Sequence, residues 1–489
     1  MRTLVSIAII AAILTSCQKE SFTTDPQDKL EFSTDTLRFD TVFTQVGSAT
    51  RYFKIYNRHS KSIRISSLKL EKGDQSRFNL NVDGISGDSF TDLEIAPNDS
   101  MYVFAEVTIN PNDQSSPFIL DENLVFETNG NMQQVVLEAW GQNAVYLPSR
   151  FGAGGVAGYN CGGSEWVWDD PRPYVIYGIL VIDSCTVRMP AGTRVYVHGG
   201  LGKIKTDTAV YRYSDGYMAF RGTGKLIIEG TSDNPVIIES DRLESEFDED
   251  PGQWTGIWLQ ESTRGHQVQH CIIRNSIIGI RVDSASDLTL KNTQIYNTAG
   301  PGLIGIHADI TAENCLFYSN AGYCIQLEYG GNYNFTYCTA TSYGVDGDAL
   351  RMGNALCLDP VCEQYALFPL KARFRNCIFY GSRADQISLF DRVNDPAQFD
   401  YQFSNCIVRV RDLLKENAYP DFMEHCQPCI NADNKDTIFV DPDKRIFRPD
   451  TLHSIANRYA APVPGINTDL EGKLRDGTMP DAGCFENEF

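Results

Sequence analysis

The chain has 489 residues, 42% of them apolar, with 63 acidic against 42 basic side chains and a net charge of −21. That length allows two or three domains with large cores. The charge argues against nucleic acid and anionic membrane surfaces as partners, because both need basic patches.

Arg2 precedes an apolar run, Leu4 to Leu14, that is too short to span a bilayer as a stable helix. It ends in Leu14-Thr15-Ser16-Cys17. This resembles a bacterial lipobox, which implies that residues 1–16 are a signal peptide and that Cys17 carries the lipid. Gln18-Lys19-Glu20 is similar to part of the short charged tag of surface lipoproteins in Bacteroidota. The resemblance implies an outer-membrane lipoprotein at the cell surface, with a periplasm-facing placement as the alternative. Residues 17–29 are polar and read as a tether.

Residues 30–145 hold short alternating runs, among them Arg51 to Tyr56, Met101 to Val107, Leu124 to Glu127 and Val135 to Ala139. Turn clusters such as Pro97-Asn98-Asp99 and Asn129-Gly130-Asn131 separate them. Short strands at this spacing predict an antiparallel β-sandwich. Asn57, Phe78, Ile95-Ala96-Pro97, Val107, Pro111, Glu127-Thr128-Asn129 and the final Leu137-x-Ala139-x-Gly141 carry a likeness. The stretch resembles the Ig-like domains of the abnormal-spindle/hydin class, which implies a spacer or docking module.

Residues 146–164 are Gly-rich and read as a linker; no Walker lysine follows, so a phosphate-cradling loop does not fit. Strand-like runs begin at Tyr174. Asp241 to Asp250 carries six carboxylates, whose hard oxygens would suit calcium, although the spacing matches no EF-hand. No other cofactor is implied.

From Val268 to Thr341 one pattern returns: apolar, any, polar, Cys or Thr, any, apolar. Its Cys/Thr slots stand at 271, 293, 315 and 338, in steps of 22, 22 and 23 residues. A fixed period in this range marks a solenoid. Its short alternations are strand-like, and a coil of about 22 residues holds three short strands and their turns. Ile273, Ile295 and Phe317 then form a core column. His270, Asn292 and Asn314 form a turn column whose side chains can satisfy one another. Gly330-Gly331-Asn332-Tyr333-Asn334-Phe335 with Cys338-Thr339, and the closing Asp469-x-x-Gly472-x-x-Arg475 with Pro480-Asp481-Ala482-Gly483-Cys484-Phe485-Glu486, point one way. Residues 165–489 resemble the right-handed parallel β-helix proteins of the pectin-lyase-like class. The expected fold is therefore all-β: an N-terminal Ig-like β-sandwich followed by a right-handed parallel β-helix solenoid.

The step from Cys338 to Cys377 is 39 residues, so a loop insertion is expected near 341–373. A second irregular region covers 409–468. Cys357/Cys362 and Cys426/Cys429 lie in these insertions and fit disulfides. A lone C-x-x-C without a partner pair is weak for zinc, and no metal site is expected from it. Alternation turns Arg281 and Asp283 outward, with His307, Asp309, Gln326 and Glu328 at comparable places further on. The insertion adds Asp346, Asp348 and Arg351.

The resemblance implies two uses of such a face. Lyases of this class pair acidic calcium ligands with an Arg or Lys base, and paired carboxylates would serve glycosidic hydrolysis. The outward set holds no dense Asp cluster beside an Arg/Lys pair, and no G-x-S-x-G or H-E-x-x-H occurs. The expected function is a surface-anchored, non-enzymatic scaffold that binds a polysaccharide or a surface protein. The alternative is a polysaccharide lyase or glycoside hydrolase.

Replacing Cys17 by alanine should release the protein from the membrane fraction. Unchanged detergent partitioning of Cys17→Ala would refute lipidation there.

Overall fold

The computed structural model describes residues 22–44, 48, 50–109, 118–148, 156–205, 209–244, 246–416 and 418–487. The chain divides into two compact units, Met1–Ala144 and Val145–Phe489.

In the first unit the alternating runs pair into two five-stranded sheets. One contains Glu31–Phe32, Arg51–Tyr56, Ser100–Val107, Phe78–Val82 and Ile85–Gly87; the other contains Thr36–Phe43, Asn131–Gln142, Phe118–Thr128, Ile63–Leu70 and Ser89–Ile95. Alternate residues such as Phe53, Ile65, Val103, Phe126 and Leu137 enter one shared core, so the sheets face each other as a sandwich. The pairing is antiparallel except where Asn131–Gln142 runs parallel to Thr36–Phe43. Asn57 is fully buried, and its amide donates to the carbonyls of Lys61, Ile95 and Ala96 at 2.9–3.0 Å. One side chain thus ties two turns together. Residues 22–29, expected as part of a tether, instead pack on the sandwich. Thr23 is buried, with its N–H 2.9 Å from the Ser62 carbonyl, and His59 meets Asp28 at 3.2 Å. Residues 22–29 are held on the sandwich by these bonds.

The second unit is a right-handed parallel β-helix. Each complete coil contributes one strand to each of three faces. One coil supplies Gly256–Leu259, His266–Gln269 and Cys271–Arg274 to the first, second and third faces; the next supplies Ile280–Val282, Asp287–Lys291 and Gln294–Thr298. Leu303–Glu313 and Ile325–Thr336 run unbroken round the corner between the first and second faces. The columns predicted at 271–338 hold. Cys271, Thr293, Cys315 and Cys338 are buried, and Ile273, Ile295 and Phe317 fill the core above one another.

Thr and Cys exchange in this slot because both donate back to the carbonyl two residues earlier. Thr293 Oγ1 reaches Lys291 O at 2.9 Å, and Cys315 Sγ reaches Glu313 O at 3.2 Å. Burial pushes the Cys271 thiol up, and the Cys324 and Cys484 thiols to about 12, so they pack as inert filler. The residue before the slot turns the corner with left-handed backbone: His270 (φ 45°), Asn292 (47°), Asn314 (51°), Asn376 (57°) and Asn405 (52°). Asparagine tolerates that conformation, and its amides form a ladder. Asn292 lies 2.9 Å from His270 Nε2, and Asn314 donates to Asn292 Oδ1 at 3.0 Å.

Three boundaries differ from expectation. The stretch 146–164 is not a linker, since it supplies strands of the first coil. Val145–Pro148, Val156–Asn160 and Glu165–Val167 each pair in parallel with the coil above. Its glycines hid the pattern. A Cys161–Cys185 disulfide ties that coil to the next at one corner. The insertion at 341–373 is narrower, because Leu350–Gly353 is a coil strand paired on both sides. Only the hairpin of Ala355–Cys357 and Tyr365–Leu367 leaves the stack. The closing motif caps no coil. Ile438, Phe439, Phe447, Leu470 and Phe485 lie on the outward residues Leu316, Ile378, Tyr380 and Ile407 of the third face.

His266 is buried, and its Nδ1 accepts the Leu226 N–H at 3.0 Å. Desolvation lowers its pKa from 6.5 to about 4, with nearby Asp287 opposing. The unfolded chain therefore takes the proton first, and stability falls as pH drops from about 6.5 to about 4. The loss is at most about 3 kcal/mol. Denaturant titrations from pH 7 to 4 should show a shallower pH slope for His266→Gln than for the native chain.

Candidate functional site

The outer surface of the first face is set by strand register. Trp258, Arg281, Ile304, Gln326, Arg351 and Ser388 stack in one column. Two residues along, Ile306 pairs with Glu328, and continuing the register one step places Asp283 beside Ile306. The column expected to join Asp283 with His307 or Asp309 is thus broken by an isoleucine. His307 sits at the corner itself (φ 49°), with Nδ1 3.0 Å from the Tyr329 carbonyl. Asp309 lies past that corner on the second face, paired with Asp287 in register, where it meets Arg264 at 3.2 Å and accepts from Asn332 at 2.7 Å. The bend in Leu303–Glu313 carries both residues away; alternation alone does not reveal it.

The remaining candidates come together as three arginine-bound carboxylates. Asp283 accepts from Trp258 Nε1 at 2.6 Å and Arg281 Nε at 2.7 Å. Glu328 accepts from Gln326 at 3.0 Å and Arg351 Nε at 2.5 Å. Asp348 accepts from Ser388 Oγ and meets Arg383 Nε at 3.1 Å. All three carboxylates are largely buried among their partners, whereas Asp346 is fully exposed and only 3.7 Å from Arg383. Trp258, Tyr323, Arg383 and Ser388 were not legible as members of the site. Arg281 lies over the Trp258 ring (4.9 Å), and Arg351 lies between Tyr323 (5.6 Å) and Phe390 (5.9 Å).

Asp348 and Arg351 belong to the coil and not to a projecting loop, contrary to expectation. The coil strand ends beside them at Gly353, where a Cβ would come within 2.9 Å of Glu328 Oε2, and the hairpin follows from Ala355. Asn354 anchors its base through Asp391 at 2.7 Å, and Cys357–Cys362 closes its tip. That tip presents Leu358 and Val361 to solvent. Cys426 and Cys429 are also joined.

The carboxylates of the 241–250 loop are dispersed rather than convergent. Asp241 meets His198 (2.7 Å), Asp248 meets Arg274 (2.9 Å), and Glu249 meets Arg445. Among the described residues no group of three or more His, Cys, Asp or Glu is arranged to hold a metal ion. Cys17 and its flanks lie outside the described residues. No described helix is long and apolar enough to cross a membrane.

Residues 222–358 match the family model described as a right handed beta helix region. No curated protein matches the chain in sequence. Among solved structures it is similar to pectate lyase Pel9A, at 15% identity and a TM-score of 0.36, covering 71% of this chain and 86% of that one. It is also similar to the catalytic unit of a GH87 alpha-1,3-glucanase from Streptomyces thermodiastaticus, at 10% identity and a TM-score of 0.28, covering 73% and 74%. A protein of unknown function from Porphyromonas gingivalis W83 aligns at 12% identity and a TM-score of 0.18, over 25% of this chain and about half (49%) of its own length. The fold class rests on the strand ladder and the family model.

Arg351→Met should destabilise by about 1–3 kcal/mol, because it leaves a mostly buried carboxylate without its charged donor. Glu328→Gln in the same background should recover part of that loss. A double-mutant cycle on urea midpoints measures the coupling, and strict additivity would contradict the pairing.

Proposed function

We propose that the chain is a lipid-anchored, non-enzymatic scaffold of the outer membrane, displayed at the cell surface, that binds a glycan or a surface protein. Cys17 carries the anchor, and the sandwich acts as an Ig-like spacer. The first face of the β-helix and the 355–367 hairpin make the contact.

One observation carries this reading: Asp283, Glu328 and Asp348 are each held by an arginine and a second donor, Asp283 and Asp348 through both oxygens and Glu328 through Oε1. Acid-base cleavage of a glycosidic bond needs two carboxylates free to exchange protons across the bond. The bound guanidinium groups, with their neighbouring rings, form a rigid surface suited to hydroxyls, carboxylates or a partner's backbone. The stapled hairpin lowers the ordering cost of binding, since its tip is already closed.

Ala355 and Leu367 are register partners, so deleting 356–366 and inserting Gly-Gly closes the hairpin with a tight turn. The variant should keep its thermal midpoint within a few degrees and lose retention on the polysaccharide, or on the surface protein, that the intact chain holds. Equal retention would exclude the hairpin. Products absorbing in the ultraviolet as unsaturated ends, or new reducing ends, would instead place the chain among the lyases or hydrolases of this fold.

A further inference from the structure

The sandwich carries a second candidate surface, built on exposed aromatic rings. Tyr52, Tyr102 and Phe104 stand on the outside of the sheet, exposed at 57%, 40% and 36%. Tyr52 and Phe104 are cross-strand partners. The three ring centroids lie 5.5–5.8 Å apart, and Tyr102 and Phe104 are nearly parallel at 13°. Three large rings left together in water mark a surface that something covers.

The surroundings say what. Register places Asn81 next to Phe104 and Ser86 next to Asn81 in the same row; Asn79 pairs with Glu106 in the next. These groups border a groove of about 710 Å³ that also includes Asp88. Lys54, 4.5 Å above the Tyr102 ring, is the cation of the cluster. Rings flanked by amides, a hydroxyl and carboxylates match a sugar. The C–H face of a pyranose packs on an aromatic ring, and its hydroxyls pair with amide and carboxylate groups. Asp88 and Glu106 in a chain of net charge −21 disfavour a polyuronate.

We propose that this face of the sandwich binds a neutral polysaccharide, with Tyr52, Tyr102 and Phe104 as the stacking platform and Asn79, Asn81 and Glu106 as hydroxyl partners. It rests on the glycan branch of the reading above but uses a separate surface. The rings need little ordering to bind, because aromatic side chains lose few rotamers.

The test uses the full chain in detergent, with affinity electrophoresis through soluble neutral glucan, mannan and xylan, and through polygalacturonate. At least one neutral polymer should retard it. Tyr52→Ala and Tyr102→Ala should each weaken that retardation at least tenfold, with the thermal midpoint held because both rings are at the surface. Four results overturn the proposal: no neutral polymer retards the chain, polygalacturonate alone does, the aromatic variants bind as the native chain does, or they change the oligomeric state instead. Loss of binding in the hairpin deletion together with full binding by Tyr52→Ala would sink this proposal and leave the other standing. Loss in Tyr52→Ala alone does the reverse.

Discussion

Stacking at a fixed spacing governs the β-helix. Parallel strands lie about 4.8 Å apart, so each side chain has its counterpart directly above and below. Inside, this demands columns of compatible shape, which Ile273, Ile295 and Phe317 provide. At the corner it demands a residue that accepts left-handed backbone and bonds to its own kind, which Asn292 and Asn314 provide. Outside, like charges on successive coils repel unless a cation bridges them, as Arg264 does between the register partners Asp287 and Asp309. The chain answers by alternation. Arg188 bridges Glu165 on one neighbouring coil and Glu229 on the other, Lys291 meets Glu313 (2.9 Å), and Arg351 meets Glu328.

That constraint also decides what could be read from sequence. Where the period is kept, the slots at 271, 293, 315 and 338 fix core, corner and fold class together. Where a coil is glycine-rich or interrupted, the pattern fades although the strands remain. The first coil, at 145–167, was hidden in this way, and so was the coil strand Leu350–Gly353. The site was legible only in part. Arg281, Asp283, Gln326 and Glu328 share a face because period two holds there. His307 and Asp309 do not join them, because the strand bends between Ile306 and Ala308. Arg383 and Ser388 come from a coil about 40 residues on, and no local pattern connects them to Asp348.

The third face has a different fate. Its later strands carry Leu316, Ile378 and Ile407 outward, and such residues could not face water in a row. The C-terminal segment covers them. Its hold is a buried network around Arg475, which donates to Asn314 Oδ1 at 2.8 Å, to Gly483 O at 2.9 Å and to Glu486 at 3.2 Å, and lies 3.9 Å over the Tyr337 ring. Asp469 accepts three backbone N–H groups in the same knot. The Arg475–Asn314 bond joins this knot to the asparagine ladder, so the cover is registered on the corner column and not merely on apolar area. Burying an arginine costs desolvation that offsets much of the attraction of its partners, so this knot adds little net stability for the bonds it holds.

With the later third face covered, the first and second faces and the hairpin are left as outer surface of the β-helix, and the first face holds the candidate carboxylates. A carboxylate held by arginine on one oxygen and by an indole or hydroxyl on the other, as Asp283 and Asp348 are, is a poor proton carrier: to act it must first break one of those bonds. For the binding role proposed above, the same arrangement holds the guanidinium groups in place before any ligand arrives. Immobilisation reduces the entropy lost on binding. A stacked solenoid reaches this state readily, since alternating charge is already what its spacing requires. Turning such a face into an acid-base pair would mean removing arginines and leaving carboxylates one or two coils apart to repel each other. In this row Ile306 stands between Asp283 and Glu328, so the two carboxylates are two coils apart and each is held by its own arginine.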